Sequence, residues 1–276
     1  METYTLRDGL TVPKVGFGTY KLNGAHGVNV IDSAIDRGYR LLDTAFNYEN
    51  EGTVGEAVRR SSVPRSELII SSKLPGRHHA YHEAIDTIQE SLYRAGLDYY
   101  DLYLIHWPNP KEDHYVEAWQ ALIDAQKFGL VRSIGVSNFL PAHLDRLEKE
   151  TGVMPVINQI ELHPYFNQQA QRDYDAAHQI LTQDWSPLGR ASELLQNTTL
   201  KGIAASYGKN VGQLILRWEL QLGTLPIPKS STPKRQLGNL ELFDFEISAA
   251  DMAIINGLST ADGRLNNQDP AVYQEF

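Results

Sequence analysis

Four side chains that can hold, move or orient a proton stand at or just beyond the ends of apolar runs in this sequence. Asp43 ends "LLD", Lys73 ends "LIISSK" and His106 ends "LYLIH", while Tyr48 lies five residues after Asp43. An acid at the end of a buried run is costly unless it is paired. A lysine would be a suitable partner, because the carboxylate would fix the ammonium group and keep it charged.

Together these residue types favour chemistry on a carbonyl group. Tyrosine and lysine have ordinary pKa values of about 10 and about 10.4, so neither transfers protons readily at neutral pH. A neighbouring ammonium group favours the phenolate and is therefore expected to lower the pKa of Tyr48. His106 could hydrogen bond a substrate oxygen through its protonated ring nitrogen. Tyr48 would then protonate an oxyanion as it forms.

Short apolar runs alternate with longer amphipathic segments along the whole sequence. Strands buried on both faces and separated by helices indicate a parallel sheet. Eight such units in 276 residues match the size of a (β/α)8 TIM barrel. We therefore predict a single α/β barrel domain over residues 1–276. The predicted strands are "KVGFGTY", "YRLLDTA", "ELIISSKL", "DLYLIHW", "RSIGVSN", "PVINQIE", "QILTQDW" and "TLPIPKS".

Glycine is expected just after the end of several helices. The segments "VNVIDSAIDRG", "AYHEAIDTIQESLYRAG" and "YVEAWQALIDAQKFG" show this pattern. Ahead of the first strand, "YTLRDGLTVPKV" predicts a β-hairpin with Asp8 and Gly9 as its turn. Such a hairpin could cover the bottom of the barrel.

Polar residues recur where each predicted strand ends. In a parallel barrel all these ends lie on one rim, where barrel active sites are built. One polar residue closing a strand is often only a turn residue, but recurrence in consecutive units favours a functional cluster. Besides the four residues above, the rim would contain Ser137, Asn138, Gln159, Trp185, Ser186, Lys229 and Ser230.

The segment "PIPKSSTPKRQLGN" is basic although the net charge of the chain is −9. It combines Lys229, Lys234 and Arg235 with the hydroxyl groups of residues 230–232. Ammonium, guanidinium and hydroxyl groups together suit a phosphate, although a solvated basic turn would have the same composition. Next to the rim cluster, it predicts a phosphorylated ligand.

Composition argues against several other classes of protein. The net charge of −9 disfavours nucleic-acid or acidic-membrane partners. Without cysteine there are no disulfides, zinc thiolates or cysteine nucleophiles. Neither a signal peptide nor an apolar run of membrane-spanning length is found, so we expect a cytoplasmic protein. We also expect it to be a monomer. No G-x-G-x-x-G motif is present. "RHHAYHE" could hold a metal through His78, His79 and His82, but a loop entering a helix also explains it, and we expect no metal.

Eight motifs in order make the sequence resemble the aldo-keto reductases from about residue 4 to about residue 275. They are "GFGTYKL", "LLDTAFNYENE", "SSKL", "LDYYDLYLIHWP", "SIGVSNF", "NQIELHP", "WSPLG" and "IPKSSTPKRQLGN". The resemblance implies a catalytic tetrad of Asp43, Tyr48, Lys73 and His106. Tyr48 would donate the proton, Lys73 would be held by Asp43 and would lower the tyrosine pKa, and His106 would orient the carbonyl oxygen.

The resemblance also implies a nicotinamide cofactor, NADPH in preference to NADH. Three polar side chains would hydrogen bond the nicotinamide carboxamide: Ser137, Asn138 and Gln159. Trp185 would lie under the ring, and Ser186 and Leu188 would line the pyrophosphate. The 2′-phosphate and adenine would be bound by Lys229, Ser230, Arg235 and Asn239, with Ser231, Thr232, Thr19 and Tyr20 completing the cofactor site.

The substrate is expected to be a small carbonyl compound. The short segment after residue 261 resembles the compact prokaryotic branch that includes 2,5-diketo-D-gluconate reductases and small-aldehyde reductases. Walls formed by Tyr20, Phe46, Tyr48, His106 and Trp107 would suit small dicarbonyls or keto sugar acids. Pro75 stands where many members have Trp, so one wall of the substrate pocket is expected to differ from theirs. At the position of Thr232, related bacterial keto-acid reductases can carry a further basic residue, which bears on the strength of the preference for NADPH.

Two other functions are compatible with the same residues. A barrel aldolase could form a Schiff base on Lys73 with Tyr48 as the proton shuttle, although the basic loop argues mildly against it. A non-catalytic NADPH-binding barrel could serve as a redox sensor or interaction subunit, although all four tetrad residues are present.

Overall fold

The computed structural model, which describes residues 2–191 and 193–276, has the alternating strands and helices that the sequence predicts. The strands are β1 (Thr3–Thr5), β2 (Thr11–Pro13), β3 (Phe17–Gly18), β4 (Leu41–Asp43), β5 (Ile69–Leu74), β6 (Tyr100–Ile105), β7 (Val131–Ser137), β8 (Ile157–Glu161), β9 (Leu181–Trp185) and β10 (Leu225–Pro226). The helices are α1 (Gly24–Asp36), α2 (Glu51–Arg60), α3 (Tyr81–Ala95), α4 (Tyr115–Lys127), α5 (Pro141–Thr151), α6 (Gln169–Ala177), α7 (Thr198–Ser206), α8 (Val211–Gln221), α9 (Pro233–Gly238) and α10 (Ala249–Asn256).

The eight strands from β3 to β10 form one parallel sheet in sequence order. Backbone hydrogen bonds also join its two ends: the Gly16 amide donates to Pro226 O at 2.9 Å and the Gly18 amide to Pro228 O at 3.3 Å. The backbones approach so closely that a Cβ at Gly18 would lie 2.8 Å from Ile227 O. The sheet therefore closes, and the prediction of a (β/α)8 barrel is confirmed.

Both faces of the strands are buried, which explains why their sequences are apolar without alternation. Leu41 packs inside the barrel with Leu102, Leu104 and Ile157. Leu42, the next residue, belongs instead to the cluster between strands and helices. The first and last barrel strands are shorter than predicted. At β10 the reason is that Pro226 and Pro228 lack the amide hydrogen that a strand ladder needs.

A β-hairpin closes the barrel at the end opposite the rim, as predicted. Strands β1 and β2 are antiparallel, and Gly9 has a φ of 94°, which suits glycine in the turn. Ser133, near the start of β7, donates a 2.6 Å hydrogen bond to Asp8 Oδ2. Leu6 and Val12 join the apolar cluster inside the barrel. The rim at the carboxyl ends of the strands is left for the functional residues.

The helix ends follow the predicted glycines. Gly96 and Gly129 lie just beyond α3 and α4 with φ values of 63° and 78°. Helix α1 begins four residues before the predicted segment, with the Gly24 amide donating to Thr53 Oγ1 at 3.1 Å. No helix in the described part of the chain is long and apolar enough to cross a membrane.

Candidate active site

The four predicted catalytic residues meet at the rim. Asp43 closes β4, Lys73 lies in β5, and His106 follows β6 directly. Tyr48 lies in a single 3-10 turn after β4, from Phe46 to Tyr48. Because β4, β5 and β6 are parallel neighbours, their carboxyl ends face the same side of the barrel.

Lys73 and Asp43 form a buried ion pair, which confirms the predicted pairing. Lys73 Nζ lies 2.7 Å from Asp43 Oδ2 and also donates to Thr44 O at 2.7 Å. Gln159 Nε2 donates to the other carboxylate oxygen of Asp43 at 2.9 Å. Burial lowers the pKa of Lys73, and the attraction of Asp43 opposes this effect. The pair therefore holds the ammonium group at one place in the site.

Tyr48 lies between the lysine and the histidine. Lys73 Nζ is 5.0 Å from the centroid of the Tyr48 ring. The centroids of the Tyr48 and His106 rings are 5.8 Å apart, and the ring planes are at 75° to each other. Desolvation, with Asp43 and Glu275 adding to it, raises the pKa of Tyr48 well above its ordinary value. The pKa of Tyr48 is therefore raised, where the sequence predicted a lowered one. Tyr48 is a neutral phenol that keeps its proton at neutral pH.

Glu275 contacts His106 and was not predicted from the sequence. Its Oε1 lies 2.7 Å from His106 Nδ1, and its Oε2 accepts a 2.9 Å hydrogen bond from the Gly76 amide. Glu275 lies 169 positions after His106, outside the eight motifs. No signal in the sequence marks it, because no strand or helix ends there.

The residues predicted to bind the carboxamide lie together on the rim strands β7 and β8. Asn138 has a φ of 63°, and its Oδ1 accepts a 2.8 Å hydrogen bond from Trp185 Nε1. Its amide nitrogen donates to His106 O at 3.0 Å. Ser137 Oγ donates to Gln159 O at 2.8 Å. These contacts fix the indole and the Asn138 side chain beside the catalytic residues, and the Gln159 side chain is held separately by Asp43 and Gln183.

The basic segment that runs from the loop after β10 into helix α9 places its cationic groups at the surface. Lys229, Ser231 and Arg235 are exposed, and Ser230 is buried. Thr232 Oγ1 accepts a 2.7 Å hydrogen bond from Arg235. Thr232 thus holds the guanidinium group of Arg235. Asn239 follows α9 and is buried.

The remaining cofactor residues border the same rim. Thr19 is buried, and its Oγ1 donates to Asp43 O at 2.8 Å. The Tyr20 side chain is exposed, and its ring is 5.0 Å from that of Tyr48. Ser186 has a φ of 53°, which turns the chain just after β9, and Leu188 is partly buried.

The predicted substrate walls differ in exposure. Phe46 is buried, with the guanidinium carbon of Arg94 3.9 Å from its ring centroid. Trp107 is also buried, and its ring packs on Tyr273 at 4.4 Å. Pro75 precedes Gly76, whose amide binds Glu275. Residues 273–275 thus occupy the region next to Pro75 and Trp107.

The histidines of "RHHAYHE" do not form a metal site. His78 Nδ1 lies 2.8 Å from Thr87 Oγ1, His79 is buried, and the His82 ring packs on Tyr81. Within residues 2–191 and 193–276, no group of three or more His, Asp or Glu residues is placed to hold a metal ion.

Comparison with known proteins places this geometry among related enzymes. The pattern of the Aldo/keto reductase family matches residues 14–260. The chain is 52% identical to 2,5-diketo-D-gluconic acid reductase B of Corynebacterium sp. over 276 residues, 100% of this chain and 99% of the relative. It is 42% identical to methylglyoxal reductase DkgA of Escherichia coli K12, over 96% of this chain and 95% of the relative.

Solved structures with bound NADPH or NADP have a fold similar to that of this chain. A mutant of Gox0644 in complex with NADPH has a TM-score of 0.94 and 38% identity, covering 99% of this chain and 98% of its own. A Bombyx mori aldo-keto reductase in complex with NADP has a TM-score of 0.90 and 34% identity, again covering 99% and 98%.

Proposed function

The chain belongs to the aldo/keto reductase family of oxidoreductases, and we propose that it uses NADPH to reduce small aldehydes and ketones to alcohols, with Tyr48 as the proton donor. The observation that carries this proposal is the grouping of Tyr48, His106 and the buried Lys73–Asp43 pair at the carboxyl ends of the strands. This site holds a phenolic proton, a cation and an imidazole, the three groups that a carbonyl oxygen needs as it gains charge.

The side chains present fit a dinucleotide phosphate. Lys229, in the loop after β10, and Arg235, in helix α9, have exposed side chains, and Ser230 follows Lys229 directly. Asn138 and Gln159 carry amides suited to a carboxamide, and the Trp185 indole is held by Asn138. When bound, NADPH supplies the hydride for the carbonyl carbon. Lys229, Ser230 and Arg235 would bind the 2′-phosphate, which NADH lacks.

Tyr48 would act on the carbonyl oxygen. Its raised pKa keeps the phenol protonated until the oxygen becomes an alkoxide, which is the stronger base. Lys73, fixed by Asp43 and Thr44, then stabilises the phenolate charge left on the tyrosine. His106 lies edge-on to Tyr48 and would orient the same oxygen from the other side.

We further propose that the substrates are small dicarbonyls or keto sugar acids such as 2,5-diketo-D-gluconate. The relative that is 52% identical is a 2,5-diketo-D-gluconic acid reductase, and the 42% identical relative is a methylglyoxal reductase. Tyr20 is half-exposed beside Tyr48, which leaves an aromatic surface at the mouth of the site.

The Schiff-base alternative fits the contacts of Lys73 less well. Burial lowers the pKa of Lys73, as a Schiff-base lysine requires. However, Nζ is held by Asp43 and Thr44, and the side chain has no exposed surface. A substrate carbonyl carbon could reach this nitrogen only if both hydrogen bonds broke.

Cofactor titration tests the proposal. NADPH and NADH would be added separately while tryptophan fluorescence is followed, with Trp185→Phe as the matched control. We expect strong quenching by NADPH, weak quenching by NADH, and loss of most quenching in the control. NADPH oxidation would then be measured with methylglyoxal and with 2,5-diketo-D-gluconate. Absence of NADPH binding by calorimetry, or borohydride trapping of substrate on Lys73, would contradict the proposal.

A further inference from the structure

We propose that Gln236 is a positioning residue for the selection of NADPH: its buried amide holds the Ser230 backbone and helix α9 against helix α1, and so fixes the groups that would bind the 2′-phosphate. This role rests on the proposed function. Gln236 follows Arg235 directly, and it is fully buried whereas Arg235 is exposed. Among the described residues of α9, Gln236 alone is buried. The helix is therefore attached through a polar side chain rather than through an apolar face.

The polar groups of Gln236 are all hydrogen bonded. Nε2 donates to Ser230 O at 3.1 Å and to Val30 O of α1 at 3.0 Å. Oε1 accepts a 2.9 Å hydrogen bond from Ser33 Oγ of α1. The backbone oxygen of Gln236 accepts from the hydroxyl group of Tyr39, a buried residue just after α1, at 3.0 Å. These contacts join one residue of α9 to α1, to the segment after α1 and to the loop after β10.

The directions of the hydrogen bonds assign the orientation of the amide. Arg37 Nη1 donates to Ser33 Oγ at 2.6 Å, and an arginine can only donate. The hydrogen of the Ser33 hydroxyl group is therefore left for Gln236 Oε1. The NH2 group then faces the Val30 and Ser230 carbonyl groups, which can only accept. The hydrogen bonds point the same way from the Arg37 guanidinium group to the Ser230 backbone, and such an arrangement strengthens each of them.

Helix α9 needs this attachment because it has only six residues. Isolated helices shorter than about 12–15 residues are marginal in water, so α9 depends on its tertiary contacts. The same segment carries the groups proposed for the 2′-phosphate. Ser230 Oγ accepts from the Thr232 amide at 3.1 Å, and Thr232 Oγ1 accepts from Arg235 Nη2 at 2.7 Å. A shift of the Ser230 backbone would therefore move the hydroxyl group and the guanidinium group together.

The choice between the two cofactors separates positioning from a purely structural role. NADPH and NADH differ only at the 2′-phosphate, and hydrogen bonds to a charged phosphate are stronger than those between neutral groups. A residue that only stabilises the fold would change the affinities for both cofactors alike, or change neither. A residue that positions the 2′-phosphate groups is expected to change the affinity for NADPH and leave that for NADH.

The test variant is Gln236→Met, which keeps the length of the side chain and removes its hydrogen bonds to Ser33, Val30 and Ser230. Dissociation constants for NADPH, NADH and adenosine 2′-monophosphate would be measured by calorimetry. We expect the affinities for NADPH and for the monophosphate to fall about 10-fold or more, the effect of losing a hydrogen bond to a charged group. The affinity for NADH should stay within about 2-fold of wild type.

Gln171→Met is the matched control. Gln171 is a buried glutamine of α6, and its Nε2 donates to Asp175 Oδ1 at 2.9 Å. This variant makes the same chemical change in another helix, so it should lower the free energy of unfolding without changing the ratio of the NADPH and NADH dissociation constants.

Ser33→Ala is a milder variant, because it removes one hydrogen bond of Gln236 at a partly exposed serine. It should reduce the preference for NADPH in the same direction, and it carries the test if Gln236→Met does not fold. An equal loss for NADPH and NADH in Gln236→Met, or an unchanged ratio in Ser33→Ala, would overturn the role of Gln236. A wild-type protein that binds neither cofactor would instead overturn the proposed function, on which this role depends.

Discussion

Lys73 Nζ lies 2.7 Å from Asp43 Oδ2, and the two side chains have 0% and 2% of their surfaces exposed. Two further contacts complete the arrangement: Lys73 donates to Thr44 O, and Asp43 accepts from Gln159. Desolvating two charges is expensive, so the pair is stable only while both partners and their hydrogen bonds are present. Removing one partner is therefore far more damaging than removing both.

The Asp43→Asn variant should lose both stability and activity. It leaves the buried ammonium group of Lys73 without a counter-charge, and breaking such a pair costs about 3–5 kcal/mol. We expect the free energy of unfolding, measured in urea, to fall by that amount. The double variant Asp43→Asn with Lys73→Met should regain part of the loss. An Asp43→Asn protein as stable as the wild type would show that the pair contributes no net stability.

Tyr48→Phe should bind NADPH normally and turn over poorly. Only the proton donor is removed, and general acid catalysis contributes about 10²–10⁴-fold to a rate. kcat for methylglyoxal should fall within that range, while the calorimetric affinity for NADPH stays near that of wild type. Tyr93→Phe, at a side chain that is 82% exposed, is the matched control. Turnover close to wild type in Tyr48→Phe would exclude Tyr48 as the acid.

Arg235→Ala should weaken NADPH binding and leave NADH binding nearly unchanged. The guanidinium group is exposed and held by Thr232 Oγ1, and a charge-assisted hydrogen bond contributes about 1.5–3 kcal/mol, or roughly 10–150-fold in affinity. Both dissociation constants would be measured by fluorescence quenching, with Lys201→Ala as a remote control. An equal loss for the two cofactors would assign Arg235 to a shared part of the dinucleotide.

The order of strands and the place of the tetrad could be predicted from the sequence because each depends on local patterns. The apolar runs predicted the eight strands, and the polar residues that follow these runs predicted the functional rim of the barrel. The pairing of Asp43 with Lys73 followed from the cost of an unpaired buried acid. The pKa of Tyr48 could not be predicted, because its direction depends on how far burial and two carboxylates outweigh a cation.

Glu275 could not be predicted for a different reason. Its contacts with His106, Gly76 and Asn109 span 166 to 199 positions of sequence. Nothing local to residues 268–276 requires them to fold back over the rim. The residues that hold Glu275 are Gly76 and Asn109. The reason for a glycine and an asparagine at these positions becomes clear only when the C-terminal segment is seen bound to them.

Gly76→Ala should disturb this segment. A Cβ at residue 76 would lie 2.3 Å from Asn109 Nδ2, the atom that donates to Glu275 O. Overpacking of this kind costs about 1–3 kcal/mol. Gly202→Ala is the control, since a Cβ there meets nothing within 4 Å and alanine favours helix α7. Urea unfolding should show a loss for Gly76→Ala and none for Gly202→Ala; equal stabilities would mean that Asn109 moves aside without cost.

Asp184→Asn should change how stability depends on pH. Asp184 lies in β9, accepts a hydrogen bond from Thr224 Oγ1, and faces Glu219. Burial raises the pKa of Asp184 from 3.8 to about 8, although the hydrogen bond from Thr224 and the charge of Arg172 oppose this rise. Burial also raises the pKa of Glu219. The folded protein therefore keeps a proton that the unfolded chain releases. The stability that this proton gives is complete below pH 3.8 and is lost as the pH rises toward 8.

The asparagine removes this titration while keeping an oxygen for Thr224. Between pH 5 and pH 8 the variant should gain stability relative to wild type by up to about 1.4 kcal/mol per pH unit. Urea unfolding at four pH values in that range measures the slope, and Asp262→Asn removes the same charge from the surface as a control. Parallel pH profiles for Asp184→Asn and wild type would mean that Asp184 is ionised in the folded protein. In that case the buried carboxylate would need a charge partner, for which Arg172 is the candidate.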